Sequence, residues 1–215
     1  MEERKITITL EKAREWYNGN NTSLKEIALQ AFSKEELICN FKSITSFQKA
    51  CETLNLNYGE MLHIKTSIAA ISKASAAMFE LNIIRKALNL GYDLHLTKDP
   101  GNSCIYYPSN PFISKNSTYF EKELELGEME VIGEIKSEGK EYYVLYSGVD
   151  DSCNDGFGFF NPSLGVGFSY TYTAFLGCAT EEIAQHFGKY FGMLITEAKY
   201  GDIVDFEIIN NKYNN

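Results

Sequence analysis

The chain has no long apolar run, no CxxC pair and no surplus of basic residues, and each absence removes a class of protein. Without a stretch of roughly 20 apolar residues there is no membrane span, and the charged opening MEERKITITL does not read as a signal peptide. The expectation is a cytoplasmic protein. Five cysteines, Cys39, Cys51, Cys104, Cys153 and Cys178, are odd in number and widely scattered, which fits free thiols in a reducing compartment. Twenty Lys and Arg against 29 Asp and Glu leave a net charge of -9, so no nucleic-acid partner is expected. His63 and His95 lack companions at ligand spacing, so no metal is expected, and His186 reads as a surface or core-edge residue. No GxxxxGK[ST] opens a helix and no GxGxxG follows a strand, so no cofactor is expected either.

What is present is enough apolar side chain, 44% of 215 residues, to bury a core without disulfides. Residues 1–95 read as helical. Thr9 caps a helix that runs through Trp16 and Tyr17 and ends at Asn18-Gly19. Ser23-Leu24-Lys25-Glu26, Ser33-Lys34-Glu35-Glu36 and Thr45-Ser46-Phe47-Gln48 each fit the capping box, in which a hydroxyl and a carboxylate or carboxamide three residues apart satisfy each other's orphan amides. Apolar residues from Ile64 to Leu88 recur at three- and four-residue steps, which predicts one long helix over about Ile64 to Leu90 with Gly91 as its stop.

Residues 96–215 read as a mixed region, with the seam near Gly91 to Pro100, although both parts can share one core. Tyr92 to Thr97 and Ser103 to Tyr107 are short strand candidates. Met129 to Lys136 and Glu141 to Tyr146 flank Ser137-Glu138-Gly139-Lys140 as a hairpin. Thr180 caps a terminal helix with Ile183, Phe187, Phe191, Leu194 and Ala198 on one stripe, ended by Gly201. A last strand over Ile203 to Ile209 directs Val204, Phe206 and Ile208 to one face, and the tail from Asn210 reads as frayed. The fold class is α+β: an N-terminal helical half, then an antiparallel sheet packed against a long C-terminal helix.

The stretch from Ser147 to Phe175, SGVDDSCNDGFGFFNPSLGVGFSYTYTAF, is Gly-rich, aromatic and acidic, and is short of aliphatic residues. Such a segment suits a displayed surface in which flat rings stack while carboxylates and amides pair with polar groups. The candidate ligand-binding residues are Tyr146, Asp151, Asp155, Phe157, Phe159, Tyr170 and Tyr172. A packing role for about half of these rings is the competing reading. The acidic turn Asp151 to Gly156 resembles a calcium loop at its first, fifth and sixth positions but carries Cys153 at the third and Pro162 at the twelfth. Catalysis, if any, would use the Asp150, Asp151, Asp155 cluster or Cys178, which lies just before a helix whose dipole favours a thiolate. The apolar context of Cys178 favours a buried structural thiol instead.

The segments ITLEKAREWYNGNNTSLKEIALQAFSKEEL, SKASAAMFELNIIRKALNLGYDL and AFLGCATEEIAQHFGKYFGMLITEAKYGDIVDFEII resemble uncharacterised proteins encoded by phages and prophages of gut anaerobes. That resemblance carries no catalytic motif and implies a mobile-element setting, cytoplasmic or virion-associated. The run before Gly177-Cys178 also looks like the closing segment of formylglycine-enzyme or C-type-lectin-like folds, but it lacks their Arg and repeated Trp, and no functional residue is carried over. The reading is a non-enzymatic binding or accessory protein with a protein or carbohydrate partner. A small hydrolase or transferase, and a phage structural component forming homo-oligomers, are the alternatives.

Overall fold

Local capping decides where the helices begin. The computed structural model describes residues 8–19, 21–37, 40–91, 106–118, 121–125, 127, 129–151 and 176–213. Thr9 caps α1 (Leu10–Asn18) by accepting from the Lys12 amide at 3.2 Å. Asn21, not Ser23, caps α2 (Thr22–Ala31), its carboxamide oxygen accepting from the Leu24 amide at 3.2 Å. The box at Ser33 and Glu36 closes in both directions, with the Ser33 amide on the Glu36 carboxylate and the Glu36 amide on the Ser33 hydroxyl, and opens α3 (Lys34–Leu37). These three helices enclose a small cluster of Ala13, Ala28 and Leu37, with Trp16, Tyr17 and Phe32 packed around it.

A 3₁₀ turn at Phe41–Ser43 leads to α4 (Phe47–Thr53), which Ser46 caps. The long helix expected from Ile64 is two helices, α5 (Tyr58–Ala69) and α6 (Lys73–Leu88). Apolar periodicity runs through the break, but capping overrides it: Asn57 caps α5, and Ser72 caps α6 by accepting from the Ser75 amide at 2.9 Å. Asp202 strengthens that break from 130 residues away, accepting from the Ser72 hydroxyl and, at 3.2 Å, the Ala74 amide.

The strands are β1 (Tyr106–Pro108), β2 (Phe112–Ser114), β3 (Glu130–Ser137), β4 (Lys140–Tyr146), β5 (Val149–Asp151) and β6 (Glu207–Asn211). A short helix, α7 (Glu121–Glu125), precedes β3, and α8 (Glu181–Tyr200) separates β5 from β6. The expected hairpin is β3–β4, turning through Glu138 and Gly139 at φ of 50° and 77°, the positive values that a two-residue turn between twisted strands requires. The main sheet runs β2-β4-β3-β6, all neighbours antiparallel, and β1 pairs with β5 beside it.

The last strand lies later than its alternation predicts. Backbone turns after Gly201 delay it to Glu207, a bulge between Glu134 and Ile135 shifts its register, and Ile208 faces outward. The tail is not frayed through Tyr213, whose hydroxyl donates to Glu130.

Thr180 caps α8 as expected, and the helix lies between the two halves. Its Ile183, Phe187, Phe191 and Ala198 bury against Leu81, Ile84, Leu88 and Phe47 of the helical half, while Met193 joins Ile132, Ile135 and Val144 of the sheet. One core therefore contains residues from both sides of the seam. The sheet reaches α8 closely because Gly188 and Gly192 have no side chain: a Cβ on Gly188 would stand 2.7 Å from Pro108 and 2.9 Å from the Tyr146 ring.

Candidate functional site

The candidate surface is held by a small backbone frame. Tyr106 is flanked on both sides: in β1 it pairs with Asp151 of β5, and on its other side it exchanges two hydrogen bonds with Cys178, at 3.0 Å and 2.9 Å. Adjacent strands lie about 4.8 Å apart, so the backbones of Asp151 and Cys178 stand about 10 Å apart across Tyr106. Asp151, the last described residue before 152–175, and Cys178, shortly after them, thus flank one residue of the scaffold. Residues 92–105 also end at Tyr106.

The buried Asn89, at the end of α6, holds the segment that returns at Cys178. Its carboxamide donates to the Gly177 carbonyl at 3.3 Å and accepts from the Ala179 amide at 2.8 Å, tying α6 to the entry of α8. A second tie joins the exits of β1 and β4. The Ser109 amide donates to Gly148, the Ser147 amide donates to Ser109, and the two serine hydroxyls meet at 2.9 Å. Gly148 sits at φ 111°, where a side chain would be strained. Asn110, fully buried, donates to the carbonyls of Leu145 and Gly188 and so fixes β4 to α8.

Of the residues expected to bind ligand, Tyr146 is 9% exposed. Its ring packs against Gly188 and lies under the Lys189 ammonium, 5.2 Å from the centroid, so it supports the frame from below. Burial first, then the charges of Glu181 and Glu130, push its phenol up to about 12. Asp150 and Asp151 lie in β5, paired with Tyr107 and Tyr106. Asp155, Phe157, Phe159, Tyr170 and Tyr172 lie outside the described residues, as do His95 and most of the calcium-like turn.

Cys178 is completely buried, and its thiol donates to the Leu176 carbonyl at 3.4 Å. Burial raises it to about 12, against smaller opposing effects of Arg85 and Asn89. It stays a thiol at neutral pH, which is the structural role its apolar context implied and the reverse of what a nucleophile needs. His186 is also buried, with Nε2 2.7 Å from the Ile44 carbonyl, and burial lowers its pKa. It lies one turn of α8 beyond Glu182 and makes no contact with Cys178 among those described. No three His, Cys, Asp or Glu residues gather into a metal-binding group among the described residues, and no described helix is long and apolar enough to cross a membrane.

Sequence reasoning did not find Asn89, Asn110 or the Glu130 network. Glu130 binds Lys189 at 3.0 Å together with Lys212 and the Tyr213 hydroxyl. Asn89 carried a faint signal, a carboxamide at the end of a helix two residues before Gly91. The others depend on pairings across 35 to 83 positions, which no local pattern encodes. No family model, curated protein or solved structure matches this chain.

Proposed function

We propose that the protein is a binding or accessory protein of phage or mobile-element origin, cytoplasmic or virion-associated, which contacts a protein or carbohydrate partner through residues 146–172. The observation that supports this is the frame around Tyr106. A Gly-rich, aromatic and acidic run leaves the scaffold after Asp151 of β5 and returns before Cys178, two positions that flank Tyr106 and are paired with it, the second also held by Asn89. Rigid stems under a long connection are how binding loops are presented on folded domains. The frame itself is built of apolar packing and backbone bonds, so its chemistry suits display rather than reaction.

The test replaces residues 152–175 by a Gly-Ser linker of about six residues, enough to span about 10 Å between stems. The shortened protein keeps the wild-type melting curve and loses every partner or glycan that the wild type retains. The Asp155, Tyr170, Tyr172 triple alanine variant behaves the same way. Retention of an unchanged partner set by both variants would overturn the proposal.

A second reading, a self-assembling phage component, is favoured by β6. It is an edge strand of the sheet with Ile208 43% and Ile209 45% exposed, and edge strands with apolar side chains pair readily with other chains. Sedimentation of the wild type beside Ile208→Lys and Ile209→Lys separates the readings: self-assembly predicts an oligomer that the lysines dissociate, and a monomer in all three excludes it.

A further inference from the structure

His186 is a buried titratable side chain that takes no part in the frame around Tyr106. Its Nε2 lies 2.7 Å from the Ile44 carbonyl, a contact that ties α8 to the end of the 3₁₀ turn at Phe41–Ser43 across 142 positions of chain. A carbonyl only accepts, so Nε2 carries the proton and the neutral ring keeps its lone pair at Nδ1. Aromatic rings surround the imidazole: Tyr190 at 4.4 Å between centroids, Phe41 edge-on at 5.7 Å and Phe191 at 6.5 Å. Ile44 is fully buried in the main core, and Phe41 packs against it. In chain order this turn is the link between the α1–α3 cluster and that core.

Among the described residues, the charged and titratable groups about His186 are Lys42 from the turn and Glu182, Lys189 and Tyr190 from α8. Glu182 bonds its own amide and the Thr180 hydroxyl, and Lys189 pairs with Glu130 at 3.0 Å. Tyr213, packed on Tyr190, binds the same Glu130. No described carboxylate is bonded to the imidazole. Acid adds a proton at Nδ1 and creates a cation among these rings. Burial opposes that charge most and Lys42 opposes it further, outweighing the stronger bond it would make to Ile44, so the pKa lies below the ordinary 6.5. The neutral ring therefore favours the docked turn: the stability it adds is present above 6.5 and is lost as the pH falls. We propose that His186 is a proton-operated latch, which clasps the turn to α8 when neutral and releases it in mild acid, so that the α1–α3 helices loosen from the main core. With the docked ring neutral and the released ring at its ordinary value, the latch weakens by up to about thirtyfold between about pH 7.5 and pH 5.

The test follows amide hydrogen exchange of the isotope-labelled full chain by NMR over that range, each rate taken relative to the intrinsic rate at the same pH. The reporters are the Ser43 and Ile44 amides, which close the turn on the Asn40 and Phe41 carbonyls at 3.0 Å. Leu81, fully buried in α6, is the reference. Protection of Ser43 and Ile44 is expected to fall by about tenfold or more toward pH 5, while staying below that of Leu81 at each pH. His186→Gln keeps an N–H donor at about the same reach and has no charge to gain, so its turn should hold its protection within about twofold. The proposal is overturned if wild-type protection at the turn is constant, if it equals that of Leu81 so that the turn never opens by itself, or if His186→Gln loses protection as the wild type does. The His186 ring, titrated by NMR in the wild type, should change charge below 6.5. A value at or above that also overturns the latch, whether or not the variant folds.

Discussion

At the scale of single residues, this protein depends on what is missing at Gly188 and on what is hidden at Cys178. A Cβ on Gly188 meets Pro108 at 2.7 Å and the Tyr146 ring at 2.9 Å, and neither a proline in a strand nor a ring wedged under Lys189 can move freely. Gly188→Ala should therefore cost about 1–3 kcal/mol, read as a lower urea midpoint, even though alanine is the better helix former. A midpoint equal to or above wild type would mean that α8 and β1 separate more easily than their packing implies. For Cys178, burial with the thiol raised to about 12 predicts resistance to iodoacetamide at about pH 8 in the native protein, at least about tenfold slower than after unfolding in urea. Peptide mapping of the labelled site checks this. Fast native labelling at Cys178 would restore it as a candidate nucleophile.

Among the elements, the β3–β6 edge and α8 are locked by one carboxylate. Burial acts to raise the pKa of Glu130, but the bonds from Lys212, Tyr213 and Lys189 outweigh it and hold the group down at about 2. A folded-state pKa below the ordinary 4.5 means that the ionised form favours the folded protein. The stability Glu130 adds is present above that ordinary value and fades as the pH falls toward 2. Glu130→Gln should accordingly lower the urea midpoint at about pH 7, with the gap from wild type closing as the pH falls from about 5 to about 2. A gap of constant size would assign the effect to packing instead of charge. The lock was invisible in the sequence, where Glu130 is one acid in a strand and Tyr213 belongs to a polar tail. Legibility follows range. The Thr9, Ser33 and Thr180 caps and the β3–β4 hairpin were readable because the groups that satisfy each other lie within a few residues. The single long helix failed at Ser72, where a local cap and Asp202 from across the fold outweigh a continuous apolar stripe. For the candidate surface, composition singled out the run after Tyr146. That its stems meet at Tyr106 and Asn89 depends on contacts between distant segments.

At the scale of the whole molecule, the buried residues form unequal clusters, and that inequality sets the order of unfolding. The main cluster joins both halves through α8, with Phe187 and Phe191 packed against Leu81, Ile84 and Leu88. Among the described residues the cluster of α1, α2 and α3 has three buried side chains, two of them alanines, and shares none of them with the main core. A core so small supplies little of the free energy that ordering about thirty residues requires. These helices should therefore open before the rest, as the low-stability unit of an otherwise cooperative fold. Trp16 is the only tryptophan in the chain and packs on this small cluster, so its fluorescence reports the first event alone, while far-UV circular dichroism is dominated by the others. The expected result in urea is two transitions that do not coincide, with the Trp16 signal changing at lower concentration. Phe187→Ala removes a fully buried ring and should lower the dichroism midpoint by the equivalent of about 3–5 kcal/mol. It should leave the fluorescence midpoint in place so long as that transition still comes first. Coincident curves in the wild type, both displaced together by the variant, would mean that the small cluster and the main core unfold as one unit.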